Sequence, residues 1–463
     1  MKWLAQQAWL PGETHCAWVA HVLLEADASG CWSAIIPSPT PEQAQGASAV
    51  GWVIPGMVNA HSHAFQRAMA GLAENSQRAG DDFWSWRERM YRIALSVGPE
   101  QLEAIATWLY AELLDAGYTQ VCEFHYLHRA PDGRTYADPG EMTWALVRAA
   151  QTVGIGLTVL PTLYMNQGFG QPGLTEMQRR FASTPESVLA LRDAVNAVAR
   201  RAALGASPQS APLLNAGVAL HSLRAVDAVA LNEVASGVTD GPIHIHVAEQ
   251  MKEVNDCLNH HGQRPIEWLL DHAPVDARWN LVHATHATAE EIQGLAQRDA
   301  SVVICPSTEA NLGDGFFELP QALGEGLRWS IGTDSHINRN WLEELRWLEY
   351  GQRLRGQRRN VALDGQHGLG SSAAVLLDNA WRGGVAATGL PLGGLALGQR
   401  ADWLELDTHS DALAGIPLPQ VLDALVFSSP SPSWRRRVVA GQEVVSEKQK
   451  HRAPFLAAMQ AIL

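Results

Sequence analysis

The stretch Trp52-Val53-Ile54-Pro55-Gly56-Met57-Val58-Asn59, followed by Ala60-His61-Ser62-His63, decides the fold. Its apolar run predicts a buried strand over residues 52–59, and the histidines after it place chemistry at the strand's C-terminal end. Read outward from there, the same rhythm of short apolar strand and helical segment recurs. Further strands are predicted at residues 120–124, 156–160, 216–221, 242–247, 279–284, 301–306 and 327–333. Helix-period segments lie between them. In residues 99–115, Leu102, Ile105, Leu109 and Leu113 share one face and Gly117 is placed to stop the helix. In residues 184–200, Val188, Leu191, Val195 and Val198 keep the same register. Residues 288–298 open with Thr288 and Glu291 in a capping-box pattern. Eight strands alternating with helices predict an α/β protein built as a (β/α)8 TIM-like barrel. A doubly wound open sheet is the alternative on rhythm alone.

The flanks of this rhythm read differently. The first 50 or so residues are irregular, with short β-like runs at 17–24 and 31–36 and a polar stretch at 38–48. Beyond about residue 385 come Gly- and Leu-rich turns, β-like runs at 401–407 and 438–445, and a short amphipathic tail. Each flank is too small to bury a core separately. Residues 1–52 and 385–463, tail helix included, are therefore expected to pack as one small β-sandwich domain beside a catalytic barrel over 53–384.

Composition narrows the function. The 463 residues carry 34 Lys and Arg against 48 Asp and Glu, a net charge of −14. That balance argues against nucleic acid or an anionic membrane as partner. No apolar run approaches the roughly 20 residues that span a bilayer. Gln6, Gln7 and Pro11 interrupt any signal-peptide core, so a soluble, cytoplasmic protein is expected. The five cysteines are odd in number and form no C-x-x-C pair. Neither a disulfide framework nor a Cys-type zinc site is indicated.

Barrel sites form at the C-terminal ends of the strands. The predicted ends hold His61-Ser62-His63, Glu123-Phe124-His125-Tyr126, His221-Ser222-Leu223-Arg224, His244-Ile245-His246-Val247-Ala248-Glu249, His283-Ala284-Thr285-His286 and Gly332-Thr333-Asp334-Ser335-His336. H-x-H on a strand aims both imidazoles at one face, because side chains alternate with period two. One such pair is compatible with ordinary core or surface histidines. Histidines and a carboxylate at the ends of strands 1, 5, 6 and 8 together make the set a divalent transition metal needs, with a position left for water. His244 and His246 form a second H-x-H whose ligand spacing does not fix; His246, nearer the strand end and three residues before Glu249, is preferred. The four lysines stand at positions 2, 252, 448 and 450. A lysine-bridged pair of metals at the end of strand 4 is thereby excluded, leaving a mononuclear site.

The run Pro55-Gly56-Met57 with His61-Ser62-His63-Ala64-Phe65-Gln66-Arg67 resembles the amidohydrolase superfamily. His221-Ser222-Leu223-Arg224, His246-Val247-Ala248-Glu249, Cys305-Pro306-Ser307-Thr308-Glu309-Ala310-Asn311-Leu312-Gly313-Asp314-Gly315, Gly332-Thr333-Asp334-Ser335-His336 and Glu343-Glu344-Leu345-Arg346-Trp347-Leu348-Glu349-Tyr350 extend the likeness through nearly the whole chain. They narrow it to the formimidoylglutamate-deiminase branch. The resemblance implies one zinc ion per subunit on His61, His63, His246 and Asp334. It implies Glu249, His283 and Asp334 as catalytic groups, Gln66, Arg87, Tyr126, His221 and Arg224 as substrate contacts, and a homodimer. The implied reaction is hydrolytic deamination of N-formimidoyl-L-glutamate to N-formyl-L-glutamate and ammonia, a step of histidine degradation. Ile337-Asn338-Arg339-Asn340 departs from the pattern, which leaves that rim of the site open.

The residue chemistry agrees with that implication. Zinc lowers the pKa of bound water from 15.7 to roughly 7. Glu249 is placed as general acid and base toward the leaving nitrogen, Asp334 to take the water's proton, and His283 to orient the attacking oxygen and stabilise developing charge. A dicarboxylate needs local cations to enter a closed pocket. Arg224 at the end of strand 4 is one, and Arg87 is the other, with Arg89 and Arg92 not separable from it by sequence. Two rivals are a purine deaminase with the same metal ligands, which would want an aromatic stack, and a metal-binding scaffold without catalysis, against which Glu249 and His283 speak.

Overall fold

The computed structural model describes residues 1–12, 15–74, 83–206, 213–363 and 370–463, with residues 202–206 by backbone alone. Eight parallel strands follow one another around the barrel in chain order: Met57–Ser62, Tyr118–His125, Gly156–Leu163, Val218–Leu220, Ile243–Val247, Trp279–His283, Ser301–Ile304 and Arg328–Ile331. The last returns to the first, where Thr333 and Asp334 N–H donate to the His61 carbonyl at 3.1 and 3.0 Å. The order has no reversal point, so the open doubly wound sheet is eliminated.

Two predicted strands are each divided by a glycine. Residues 52–59 are not one strand. Ser48–Pro55 belongs to a second sheet, and the chain crosses at Gly56 into Met57–Ser62. A Cβ on Gly56 would lie 2.4 Å from Thr119, so only glycine permits the crossing. Residues 216–221 break at Gly217 into Leu214–Ala216 and Val218–Leu220, because a Cβ there would meet the Pro242 carbonyl oxygen at 2.2 Å.

The helices follow the predicted pattern closely. Pro99–Asp115 buries Leu102, Ile105, Leu109 and Leu113. In Ala289–Gln297 the Thr288 side chain accepts from Glu291 N–H, and Glu291 accepts from Thr288 N–H.

Helix Ser372–Thr388 closes the barrel floor. Its last carbonyls would be orphans, and polar side chains of the strands donate to them: Asn280 to Ala386, His244 to Ala387 at 2.8 Å, Asn215 to Thr388 at 2.7 Å. Gly383 permits the contact, since a Cβ would sit 2.0 Å from the Trp329 carbonyl oxygen.

The chain ends form one continuous seven-stranded sheet in the order Gln442–Glu443, Trp434–Val439, Trp403–Leu406, Ser48–Pro55, Lys2–Leu10, Ala17–Ala26, Trp32–Pro37. Lys2–Leu10 is a central strand, which the sequence expectation of an irregular start missed. The sheet curls, so that Trp32 N–H reaches Gln399 O and Ala401 N–H reaches Gly30 O, both at 2.8 Å. Trp3, Trp32 and Trp403 meet edge-on inside it. The tail helix Arg452–Ile462 lies on Pro99–Asp115, where Phe455 stacks on Trp108.

Because the Trp329 carbonyl is fixed in the strand ladder, Gly383→Ala should destabilise by about 3 kcal/mol. Thermal unfolding of the two proteins checks it.

Candidate functional site

The H-x-H pair on the first barrel strand and its crossing partners converge at the barrel mouth. His61 Nε2 lies 3.1 Å from both His63 Nε2 and His246 Nε2, and Asp334 Oδ1 lies 3.4 Å from the first two. All four side chains are buried. Ligands at 2.0–2.1 Å around a tetrahedral ion stand about 3.3 Å apart, so the spacing suits one. His63 Nδ1–H donates to the Phe124 carbonyl at 2.9 Å and His246 Nδ1–H to the His221 carbonyl at 3.0 Å. A carbonyl only accepts, so in the neutral rings both Nε2 atoms carry lone pairs directed at the shared point. Burial holds His61 down at about 3 and also lowers His63 and His246, keeping the rings in the neutral form that binds metal. The three histidines form a group able to hold a metal ion. His244 faces the floor helix instead, which separates it from His246.

Strand ends here are bent into left-handed backbone. Ala248, His283, Ala284, Asp334 and His336 all have φ between 47 and 71°. Non-glycine residues adopt this region at a cost and only where the surroundings enforce it. Enforcement is visible below the ligands. Glu123 accepts from Ser62 Oγ at 2.7 Å and from Ala64 N–H at 2.6 Å, and Asn59 and His336 both engage Thr333.

His283 sits among three carboxylates. Its Nε2 is 3.5 Å from Glu249 and 3.9 Å from Asp334, and its Nδ1 is 3.3 Å from Glu309. Burial alone would lower its pKa, but these charges outweigh burial and push it up to about 10. Burial, opposed by His283, pushes the Glu249 carboxyl up to about 7. Burial would raise Asp334 as well, but His61, His63 and His283 hold it well below the usual carboxylate range.

A cavity opens beside this cluster, and Gln66, Arg87, Tyr126, His221 and Arg224 all line it. Gln66 Nε2 donates to the Tyr126 hydroxyl at 2.9 Å, while Gln66 Oε1 is buried without a partner. Arg224 makes no ion pair among the described residues and leaves a buried guanidinium N–H unpartnered. Arg87 stacks on Trp84 at 4.3 Å, also without an ion pair among the described residues. Burial, then the like charge of Arg224, lowers its pKa. Arg89 donates to the Ala73 carbonyl and Arg92 is exposed, so Arg87 is the arginine of this helix on the cavity wall. At the departing rim, Asn338 donates to Glu344, and Asn340 caps helix Trp341–Gly356.

Several wall residues escaped the sequence. Phe83, Trp86, Tyr91, Tyr164 and Phe181 make the cavity aromatic, so absence of an aromatic wall does not discriminate against a purine; the unpaired arginines do. Tyr164 follows a strand that runs to Leu163 rather than 160, because Pro161 reads as a strand end but pairs with His125 in the ladder. Glu309 stands four residues after Cys305, and its helical reach to His283 needed the fold.

Comparison with known proteins places these features. A model described as "Amidohydrolase family" matches residues 52–444. A formimidoylglutamate deiminase of Pseudomonas aeruginosa is 46% identical over 445 residues, covering 96% of this chain and 94% of that one. The crystal structure of an amidohydrolase from Brucella melitensis superposes with a TM-score of 0.89 at 39% identity, covering 100% and 99%. An adenosine deaminase from Xanthomonas campestris with bound zinc shares the fold, with a TM-score of 0.78 at 21% identity and coverage of 100% and 98%.

One divalent ion per chain is the expected content of the purified protein. His246→Ala should weaken it by more than the roughly 10–100-fold that loss of an outer partner costs, whereas His244→Ala should keep it. Elemental analysis after dialysis distinguishes the two.

Proposed function

The chain belongs to the amidohydrolase family, and from that premise we propose that it is a zinc-dependent hydrolase converting N-formimidoyl-L-glutamate to N-formyl-L-glutamate and ammonia. The observation that carries this reading is the pair of cavity arginines, Arg87 and Arg224, which form no ion pair with a carboxylate among the described residues. A buried guanidinium without a counter-charge is costly, and a dicarboxylate substrate supplies two. The relative from Pseudomonas aeruginosa bears the corresponding name.

The cavity wall carries side chains of both signs. Toward Arg87 and Arg224 it suits carboxylates. Toward Glu249, Asp334 and the histidines it suits a cationic formamidine. His61, His63, His246 and Asp334 would hold the ion. Zinc in such a set supplies a water whose pKa is lowered to roughly 7. Glu249, near 7 itself, takes a proton at one carboxylate oxygen and gives it to the nitrogen that departs as ammonia. Asp334, held as a carboxylate, accepts the proton of the attacking oxygen. His283, protonated among its carboxylates, donates through Nε2 to the oxygen that gains negative charge, and Glu309 fixes the ring through Nδ1. Gln66 leaves Oε1 free to accept from the substrate's N–H. The paired acid and base speak for an enzyme rather than a scaffold.

Ammonia release should be rapid on N-formimidoyl-L-glutamate and absent on guanine or adenosine; release from a purine alone would overturn the assignment. Glu249→Gln should lower kcat by about 10²–10⁴-fold. Arg224→Met should raise KM thirtyfold or more, matching the roughly 2–5 kcal/mol lost with one partner of a buried charge pair. Steady-state kinetics on refolding-competent, zinc-loaded variants measures both.

A further inference from the structure

Two tyrosines on the cavity wall carry hydroxyls that cannot both place their protons among the described residues. Tyr164 follows the third barrel strand, and Tyr91 projects from helix Phe83–Ser96, the helix that also bears Arg87. Both line the cavity. Between them stands Gln178, in the short helix Glu176–Phe181. Its carbonyl oxygen accepts from Thr175 N–H at 3.0 Å and from the Thr175 hydroxyl at 2.9 Å. That fixes the amide, because a backbone N–H cannot face an NH2 group. The amide nitrogen therefore donates to Tyr164 at 2.9 Å and to Tyr91 at 3.3 Å. Each phenolic oxygen is already an acceptor, so each must place its own proton elsewhere. The two oxygens are 3.5 Å apart, so one hydroxyl at most can donate to the other. At least one O–H is then left without an acceptor among the described residues, beside Arg87 and Arg224, which also lack one. Burial raises the pKa of Tyr91, so its hydroxyl remains a donor at neutral pH. Tyr91, Tyr164, Arg87 and Arg224 together present donors that a ligand bringing anionic oxygens matches well.

We infer that Tyr91 and Tyr164 donate a hydrogen bond to one carboxylate of the substrate, completing a cradle with Arg87 and Arg224, and that Gln178 is the positioning residue orienting the two hydroxyls. This rests on the dicarboxylate reading above and deepens it by adding a neutral donor to the two cations. Phe181 packs against both tyrosine rings at 5.4–5.5 Å, so Tyr→Phe changes keep the packing and remove only the hydroxyl.

The test is calorimetric binding of N-formyl-L-glutamate, which keeps both carboxylates, to the zinc-loaded wild type and to Tyr91→Phe, Tyr164→Phe and the double variant. The double variant should bind roughly ten- to a hundredfold more weakly, as for hydrogen bonds to charged groups. N-formyl-L-norvaline and N-formyl-4-aminobutyrate each lack one of the two carboxylates. The difference between wild type and double variant should vanish for one of them and persist for the other. On N-formimidoyl-L-glutamate, Gln178→Leu should raise KM about tenfold and leave kcat within about threefold. Binding of N-formyl-L-glutamate unchanged in the double variant overturns the inference, as does an equal loss on all three ligands, which would mark a structural role. Failure of the wild type to release ammonia, with hydroxyl-dependent binding intact, would overturn the reaction and leave the cradle standing.

Discussion

His61 Nε2 lies 3.1 Å from Nε2 of both His63 and His246, and Asp334 lies 3.4 Å from the first two rings, a buried crowding of ligand atoms that a single cation would satisfy. The upper barrel is organised to impose that crowding. Two rings are turned by backbone carbonyls of neighbouring strands, so the ladder itself dictates where their lone pairs point. Glu123 pins the turn after the first strand, and the Thr333 network pins the turn after the last. The left-handed residues cluster at the same strand ends. Left-handed backbone is tolerated here because the sheet below is closed and floored by a helix, and the return is a preformed set of ligands.

The same crowding sorts charge across the cavity. Glu249, Glu309 and Asp334 surround His283, and the same cavity wall carries two arginines that form no ion pair among the described residues. A molecule with an amidinium at one end and carboxylates at the other has only one favourable way in. Orientation thus comes from electrostatics before any close fit.

Much of this was legible in the sequence because barrel strands repeat a simple rule: period-two alternation puts His61 and His63 on one face, and the strand end puts Glu249, His283 and Asp334 at the mouth. What the sequence hid depends on contacts made far along the chain. His246 is distinguished from His244 by a carbonyl 143 residues later, on Ala387. Tyr164 lay past a proline that reads as a strand terminator. Tyr91 and Gln178 look like ordinary helical residues until the fold brings their polar atoms together. The Lys2–Leu10 strand was masked by Gln6 and Gln7, which lie on or near the sheet's exposed side. Glycine pointed both ways: Gly56 and Gly217 each cut a continuous apolar run into two strands.

Gly56 joins two sheets with one residue of slack. Ser48–Pro55 is hydrogen-bonded to both chain termini's strands, and Met57–Ser62 carries the metal-facing histidines. No loop separates the terminal sheet from the strand that bears His61. The two ends of the chain are thus tied, through a single glycine, to the strand that carries His61 and His63.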